Sequence, residues 1–216
     1  MNGSTERVSR LSFSEELKQQ RWDDHRFYHQ SRVTQSLHLF SALCFLASYA
    51  LLPFNPIAAS LLGWTVAMWS RQIGHFFFEP KGFDRINNVT FDHKEEVKVG
   101  FNLQRKVILF IAWISVPLLL RFSPTFWGVF SPSDSYSFFD RLGILWLVLG
   151  FAGLFLRTFW LCASQSVQTG LVWLTKILTD PFHDVKIYHM APIWLLRGQW
   201  LDPMEHAAAD YTDYTD

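Results

Sequence analysis

Four apolar runs, at about residues 37–52, 57–78, 107–122 and 142–163, restrict this chain more than any other feature. As helices rising about 1.5 Å per residue, the second and fourth are long enough to cross a hydrocarbon core about 30 Å thick. Charges are too sparse in either to give a helix a water-facing side, which disfavours a soluble all-helical core. The first and third are shorter, so each extends a turn into its flanks or forms half of a tightly packed hairpin. Pro53-Phe-Asn-Pro56 closes the first run and turns the chain into the second. The expected fold is all-α: a polytopic membrane protein with four transmembrane helices in a bundle.

Lys and Arg give the orientation. They crowd the first 36 residues (Arg7, Arg10, Lys18, Arg21, Arg26, Arg32), the connection between the second and third runs (Lys81, Arg85, Lys94, Lys98, Arg105, Lys106) and the tail (Lys176, Lys186, Arg197). The first hairpin has none, and the connection between the third and fourth runs has Arg121 and Arg141 alone. The positive-inside rule then places both termini and the second loop in the cytosol. The sequon Asn88-Val-Thr90 should stay unmodified there. The organisation expected is a cytosolic or interfacial N-terminal helix (1–36), a four-span membrane domain (37–165) with a cytosolic loop (79–106), and a cytosolic amphipathic segment with an acidic tail (166–216).

The polar leader does not read as a signal peptide. Ser12-Phe-Ser-Glu15 has the spacing of a helix capping box, and a helix from there to Tyr28 would bring Phe13, Leu17, Trp22 and Tyr28 within reach of the headgroup layer. An equally open reading is a solvated leader helix. The acidic end, 210–216, is expected to be disordered. The 19 Lys and Arg balance 19 Asp and Glu, so no basic surface points to nucleic acid. Cys44 and Cys162 sit in apolar runs without metal-type spacing and read as packing residues.

All eight histidines (His25, His29, His38, His75, His93, His183, His189, His206) fall on the expected cytosolic side. Imidazole and carboxylate at a bilayer edge are costly unless paired or bound, so they are functional candidates. His75 and Glu79, spaced i, i+4, would project from one helix face. His29 and His38 bracket the start of the first span, and antiparallel packing of the first two spans would bring His38 to His75. Neutral imidazoles with a carboxylate suit Fe(II), Mn or Zn, and two His with one carboxylate is the set of non-haem Fe(II) oxygenases.

Tyr28-His29, then His38, then two apolar spans ending in Gly74-His75-Phe-Phe-Phe-Glu79, resembles the membrane-embedded 2-hydroxy fatty acid dioxygenase family of fatty-acid α-oxidation, over about residues 27–105. The resemblance covers a Tyr-His, a second His nine residues on and a Gly-His-x-x-Phe-Glu block. Thr34 stands where that family tends to have asparagine, and Pro80-Lys-Gly-Phe-Asp84 replaces a Pro-Ala segment. The resemblance implies an Fe(II)- and O2-dependent enzyme that shortens a 2-hydroxy fatty acid or related lipid by one carbon, in the endoplasmic reticulum or a bacterial inner membrane, with its catalytic side cytosolic. His29, His38 and His75 would be iron ligands, with His93 a fourth ligand or a supporting group. Glu79 would ligate the metal or orient a ligating His. Tyr28 would hydrogen-bond bound oxygen or substrate, and Arg71 would bind the substrate carboxylate. Asp92 and His25 are further candidates.

Three rivals stay open: a membrane di-iron hydroxylase or desaturase, for which His25-x-x-x-His29 fits one box but no His-His pair exists, a b-type haem electron carrier using His38 and His75, and a non-catalytic membrane adaptor. Around His183 and His189, residues 180–189 read as an amphipathic surface helix with a turn at Pro181, or as a lid or second polar site. Arg157 within the fourth run needs a polar partner.

Overall fold

The computed structural model describes residues 11–99 and 103–204. Arg7, Arg10, His206 and the acidic end at 210–216 lie outside these. Among the described residues the chain is all-helical, with two isolated β-bridges and no strand.

Helix α1 (Phe13–Tyr28) starts where the capping box places it: Ser12 Oγ accepts the Glu15 N–H, and Glu15 Oε2 accepts the Ser12 N–H at 2.6 Å. It lies against α8 (Val167–Tyr188), where Arg21 donates to Thr179 Oγ1 at 2.7 Å and pairs with Asp180 at 3.5 Å. Phe27 and Tyr28 turn inward and are buried, while Phe13 is exposed. Helix α2 (Arg32–Leu51) ends at the Pro53–Pro56 turn, and Asn55 caps the next element by accepting the Ala58 N–H at 3.0 Å.

From Pro56 to Phe78 the chain is one helical column broken twice: α3 (Pro56–Leu62), a π-turn (Gly63–Ala67), α4 (Met68–Ile73) and a second π-turn (Gly74–Phe78). A π-turn disturbs the i to i−4 ladder. Two carbonyls of these stretches are met from α2 instead, Ala67 O by Ser41 Oγ at 2.7 Å and Gly74 O by Thr34 Oγ1 at 3.2 Å. Those bonds lock the column to α2.

A short α5 (Phe91–Val97) leads into α6 (Leu103–Phe122), which contains Pro117, and then α7 (Phe138–Ser164), α8 and α9 (Ala191–Leu196). The core between α6, α7 and the column is Trp113, Val116, Leu120, Phe130, Leu142 and Trp146. Two indoles find partners inside it: Trp146 Nε1 donates to Trp113 O (3.1 Å) and Trp64 Nε1 to Trp146 O (2.9 Å), while Trp113 Nε1 is buried without a hydrogen-bond partner among the described residues. Gly143 lets α7 approach the column, since a Cβ there would fall 2.8 Å from Ile57 Cγ2. Arg157 donates to Val99 O, which supplies its polar partner. Cys44 and Cys162 are half-buried free thiols.

Two helices, α2 and α7, are each long and apolar enough to cross a membrane. The second apolar run is divided into short elements by its π-turns. Pro181 does not end a helix: it is held inside α8, which packs along both α2 and α7. After α9 the chain returns to the start of α2, with a bridge between Ser31 and Leu201.

Candidate metal centre

Three elements each deliver one imidazole. His29 is the C-cap of α1, its N–H on His25 O at 3.0 Å. The two-residue corner that follows is clamped from two sides. Glu79 accepts the Gln30 and Ser31 N–H groups at 3.2 and 3.3 Å, and the C-terminal segment adds Arg32 N–H to Trp200 O (2.9 Å) and Asp202 N–H to Gln30 O (2.8 Å). His38 lies two turns into α2, and His75 sits in the second π-turn, beside Gly74 and its contact with Thr34. Single π-turns within helices occur often at functional sites.

One ligating nitrogen from each of His29, His38 and His75 lies within 4.8 Å of the others. His38 Nε2 and His75 Nε2 stand 3.1 Å apart. Two imidazole nitrogens about 2.1 Å from a common ion at octahedral or tetrahedral angles stand about 3.0–3.4 Å apart, so this pair already has the spacing of two ligands. Both nitrogens of His29, and Nδ1 of His38, are buried without a hydrogen-bond partner among the described residues. Orphaned buried nitrogens are expensive, and an ion held by the triad would answer one of the two on His29, leaving His38 Nδ1 to face α8. Burial also holds the His29 imidazole well below its ordinary value, in the neutral form that ligates.

Behind the triad, Asp184 Oδ2 is 3.6 Å from His38 Nδ1 and 2.6 Å from the Arg71 guanidinium. The contact is longer than a hydrogen bond, and it places a carboxylate on the side of His38 away from His75, where such a group can orient a ligating imidazole. Tyr188, fully buried, walls the triad with its ring centroid 5.6 Å from that of His29, and its hydroxyl meets His25 Nδ1 at 3.1 Å.

The triad opens on a cavity of about 640 Å³. It follows α2 from His38 past Phe45 and Tyr49 to Leu52, closed by Trp64 and Leu154 and by Trp173 and Phe182 of α8. His38 to Leu52 is about 21 Å of helix at 1.5 Å per residue, so a metal-capable end and a long apolar end share one space.

Several sequence candidates stand elsewhere. Glu79 does not reach an imidazole: the helix ends at Phe78, Glu79 is extended (φ −82°, ψ 136°), and the π-turn breaks the i, i+4 relation to His75. Its carboxylate holds the corner under His29 instead, and burial pushes it up to about 7 against the amide hydrogen bonds that lower it. His93 and Asp92 are exposed on α5, whose inward residue is Lys94, 2.6 Å from the Asp84 carboxylate. Tyr28 donates to Lys94 O, so its hydroxyl is already engaged. Arg71 lines the cavity but its guanidinium is on Asp184. His25 serves the Tyr188–Asp202 side of the network, 3.7 Å from Asp202. His189 is exposed, with Nδ1 against Lys186 O at 2.8 Å, and His183 is half-buried outside the triad.

Sequence reasoning missed Asp184 and Tyr188. The signal was present: Lys176, Asp180, Asp184 and Tyr188 are spaced by four, one stripe of α8, and all four are buried. No family model, curated protein or solved structure matches the chain.

Proposed function

We propose that this protein is a membrane-embedded, Fe(II)-dependent oxygenase that shortens a 2-hydroxy fatty acid or related lipid by one carbon. The observation that carries the reading is the position of the His29–His38–His75 triad at the polar end of a long apolar cavity. The resemblance of Tyr28-His29, His38 and Gly74-His75-Phe-Phe-Phe-Glu79 to the 2-hydroxy fatty acid dioxygenases supplies the substrate class. Three imidazoles with no carboxylate also suit zinc or manganese, and iron is preferred here on the strength of that resemblance.

Iron bound by the triad would supply the redox chemistry that lets O2 attack a carbon–carbon bond. The overall change balances as 2-hydroxy acid plus O2 giving the acid one carbon shorter, CO2 and water. The protein's own residues hold and orient. Asp184 faces His38 Nδ1 at 3.6 Å, Arg71 holds Asp184, and Glu79 holds the corner that carries His29. The acyl chain lies between α2 and α8, where Phe45, Tyr49 and Phe182 exclude water.

In this reading α2, the Pro56–Phe78 column, α6 and α7 all cross the bilayer, with the triad at the cytosolic side of an endoplasmic reticulum or bacterial inner membrane. The outward faces of α6 and α7 favour lipid: Ile108, Ile111, Leu118, Leu156, Phe159 and Trp160 are all more than half exposed. The 3.1 Å separation of the His38 and His75 nitrogens speaks against a haem between them, whose two axial nitrogens need about twice the metal–nitrogen distance, about 4 Å. A triad without a carboxylate gives a di-iron site little support.

The test is product analysis. Purified protein loaded anaerobically with Fe(II) and given a 2-hydroxy fatty acid should release the acid one carbon shorter only when O2 is admitted. Release under argon, or intact substrate under O2 with the iron in place, would contradict the reading.

A further inference from the structure

Four cations line the cavity near the triad: Arg71, Lys98, Lys106 and Lys176. Three have counter-ions. Arg71 is on Asp184 at 2.6 Å, Lys176 is on Asp180 at 2.7 Å and Asp24 at 2.5 Å, and Lys98 is 3.5 Å from Asp24 and 3.3 Å above the Tyr28 ring. Lys106, in the first turns of α6, is half-buried, and no carboxylate of the described residues lies within ion-pair distance of it. Residues 100–104, beside it in sequence, are Gly, Phe, Asn, Leu and Gln and bring no carboxylate. Lys106 and the three imidazoles line the same cavity.

An ammonium drawn out of water without a counter-ion is costly, and an anion that enters with it removes the cost. Each of the other three cations already has a carboxylate partner, so Lys106 is the one cation lining the cavity without a counter-ion among the described residues. We propose that Lys106 is the residue that binds the carboxylate of a single-chain fatty acid, with the chain running down α2 away from the triad. The assignment rests on the cavity reading above and moves the carboxylate contact from Arg71, which Asp184 occupies, to Lys106. It needs no metal: the contact is between an ammonium and a carboxylate.

The test is therefore binding to the metal-free full chain in detergent, by titration with a 2-hydroxy fatty acid, the plain fatty acid, the alcohol of equal length, and a lysophosphatidate. Charge-assisted hydrogen bonds give the expected scale: wild type should bind both acids about tenfold or more tighter than the alcohol, Lys106→Gln should bring acids and alcohol to parity, and Lys106→Arg should keep most of the preference. Acid binding unchanged in Lys106→Gln would overturn the proposal. So would lysophosphatidate binding tighter than the fatty acids and losing that advantage in Lys106→Gln, which would make the preferred head a phosphate. Arginine's rescue separates a lost charge from a damaged fold. Loss of the oxygenase reading through the product assay would leave this result standing, because no iron is present.

Discussion

Asp184 Oδ2 stands 3.6 Å from His38 Nδ1, and the contact joins α8 to α2 at the triad. An approach of about half an ångström would let the carboxylate accept from that nitrogen and keep the imidazole's other nitrogen aimed at an ion. Asp184→Asn should weaken metal binding by about 10- to 100-fold, the usual cost of losing such a partner, with helix content unchanged. Titration of the metal-free variant with Fe(II) or Zn(II) checks it, and unchanged affinity would mean that Asp184 only neutralises Arg71.

Gly74 is pressed on α2. A Cβ there would lie 3.0 Å from Thr34 Cγ2 and 3.2 Å from Thr34 Cα, and the backbone atom cannot swing aside. Gly74→Ala should destabilise by about 1–3 kcal/mol, as overpacking does, and should lower metal affinity by moving His75. Thermal unfolding beside a metal titration reads both effects.

The buried Lys94–Asp84 pair, 2.6 Å apart, ties the loop after the column to Gln30 at the α1–α2 corner. Removing one partner strands the other: Lys94→Met should cost about 3–5 kcal/mol. The double variant Lys94→Met with Asp84→Asn should recover part of the loss. Denaturant unfolding of wild type, both single variants and the double variant gives the comparison, and additive losses would contradict the pairing.

Glu79 carries a pH dependence. Burial raises its pKa in the folded chain from 4.5 to about 7. An acid whose folded pKa is raised contributes stability that is full below its unfolded pKa and lost as pH rises through the folded value. Wild-type stability should fall between about pH 4.5 and 7 relative to Glu79→Gln, with no further divergence above. Parallel curves for the two proteins would place Glu79 in a more solvated setting.

The crossing pattern has its own readout. With Cys44 and Cys162 replaced, Phe54→Cys in the exposed first turn and Asp92→Cys in the exposed loop should differ toward a membrane-impermeant thiol reagent. On sealed vesicles with the cytosolic face outward, Asp92→Cys should label at once and Phe54→Cys after permeabilisation. Equal labelling would contradict the proposed topology.

Helix content, the α1 cap and the three imidazoles were legible in the sequence because each rests on local spacing: the Ser12–Glu15 box, apolar runs, and histidines at the ends of two neighbouring helices. What was not legible depends on register. The i, i+4 inference for His75 and Glu79 assumes an unbroken α-helix, and a π-turn followed by extended backbone defeats it. His93 carries no spacing cue that tells it from Lys94, and tertiary pairing with Asp84 decides which of the two turns inward. Asp184 comes from a helix more than a hundred residues away whose proline suggested a break, and packing on α2 and α7 kept α8 whole.

Metal content addresses the central claim most directly. Protein purified anaerobically should bind non-haem iron at near one ion per chain, without a haem spectrum, and the His38→Ala, His75→Ala double variant should lose it while keeping its helical circular dichroism. Iron retained at full occupancy in the double variant, or no metal bound by wild type under saturating Fe(II), would contradict the account.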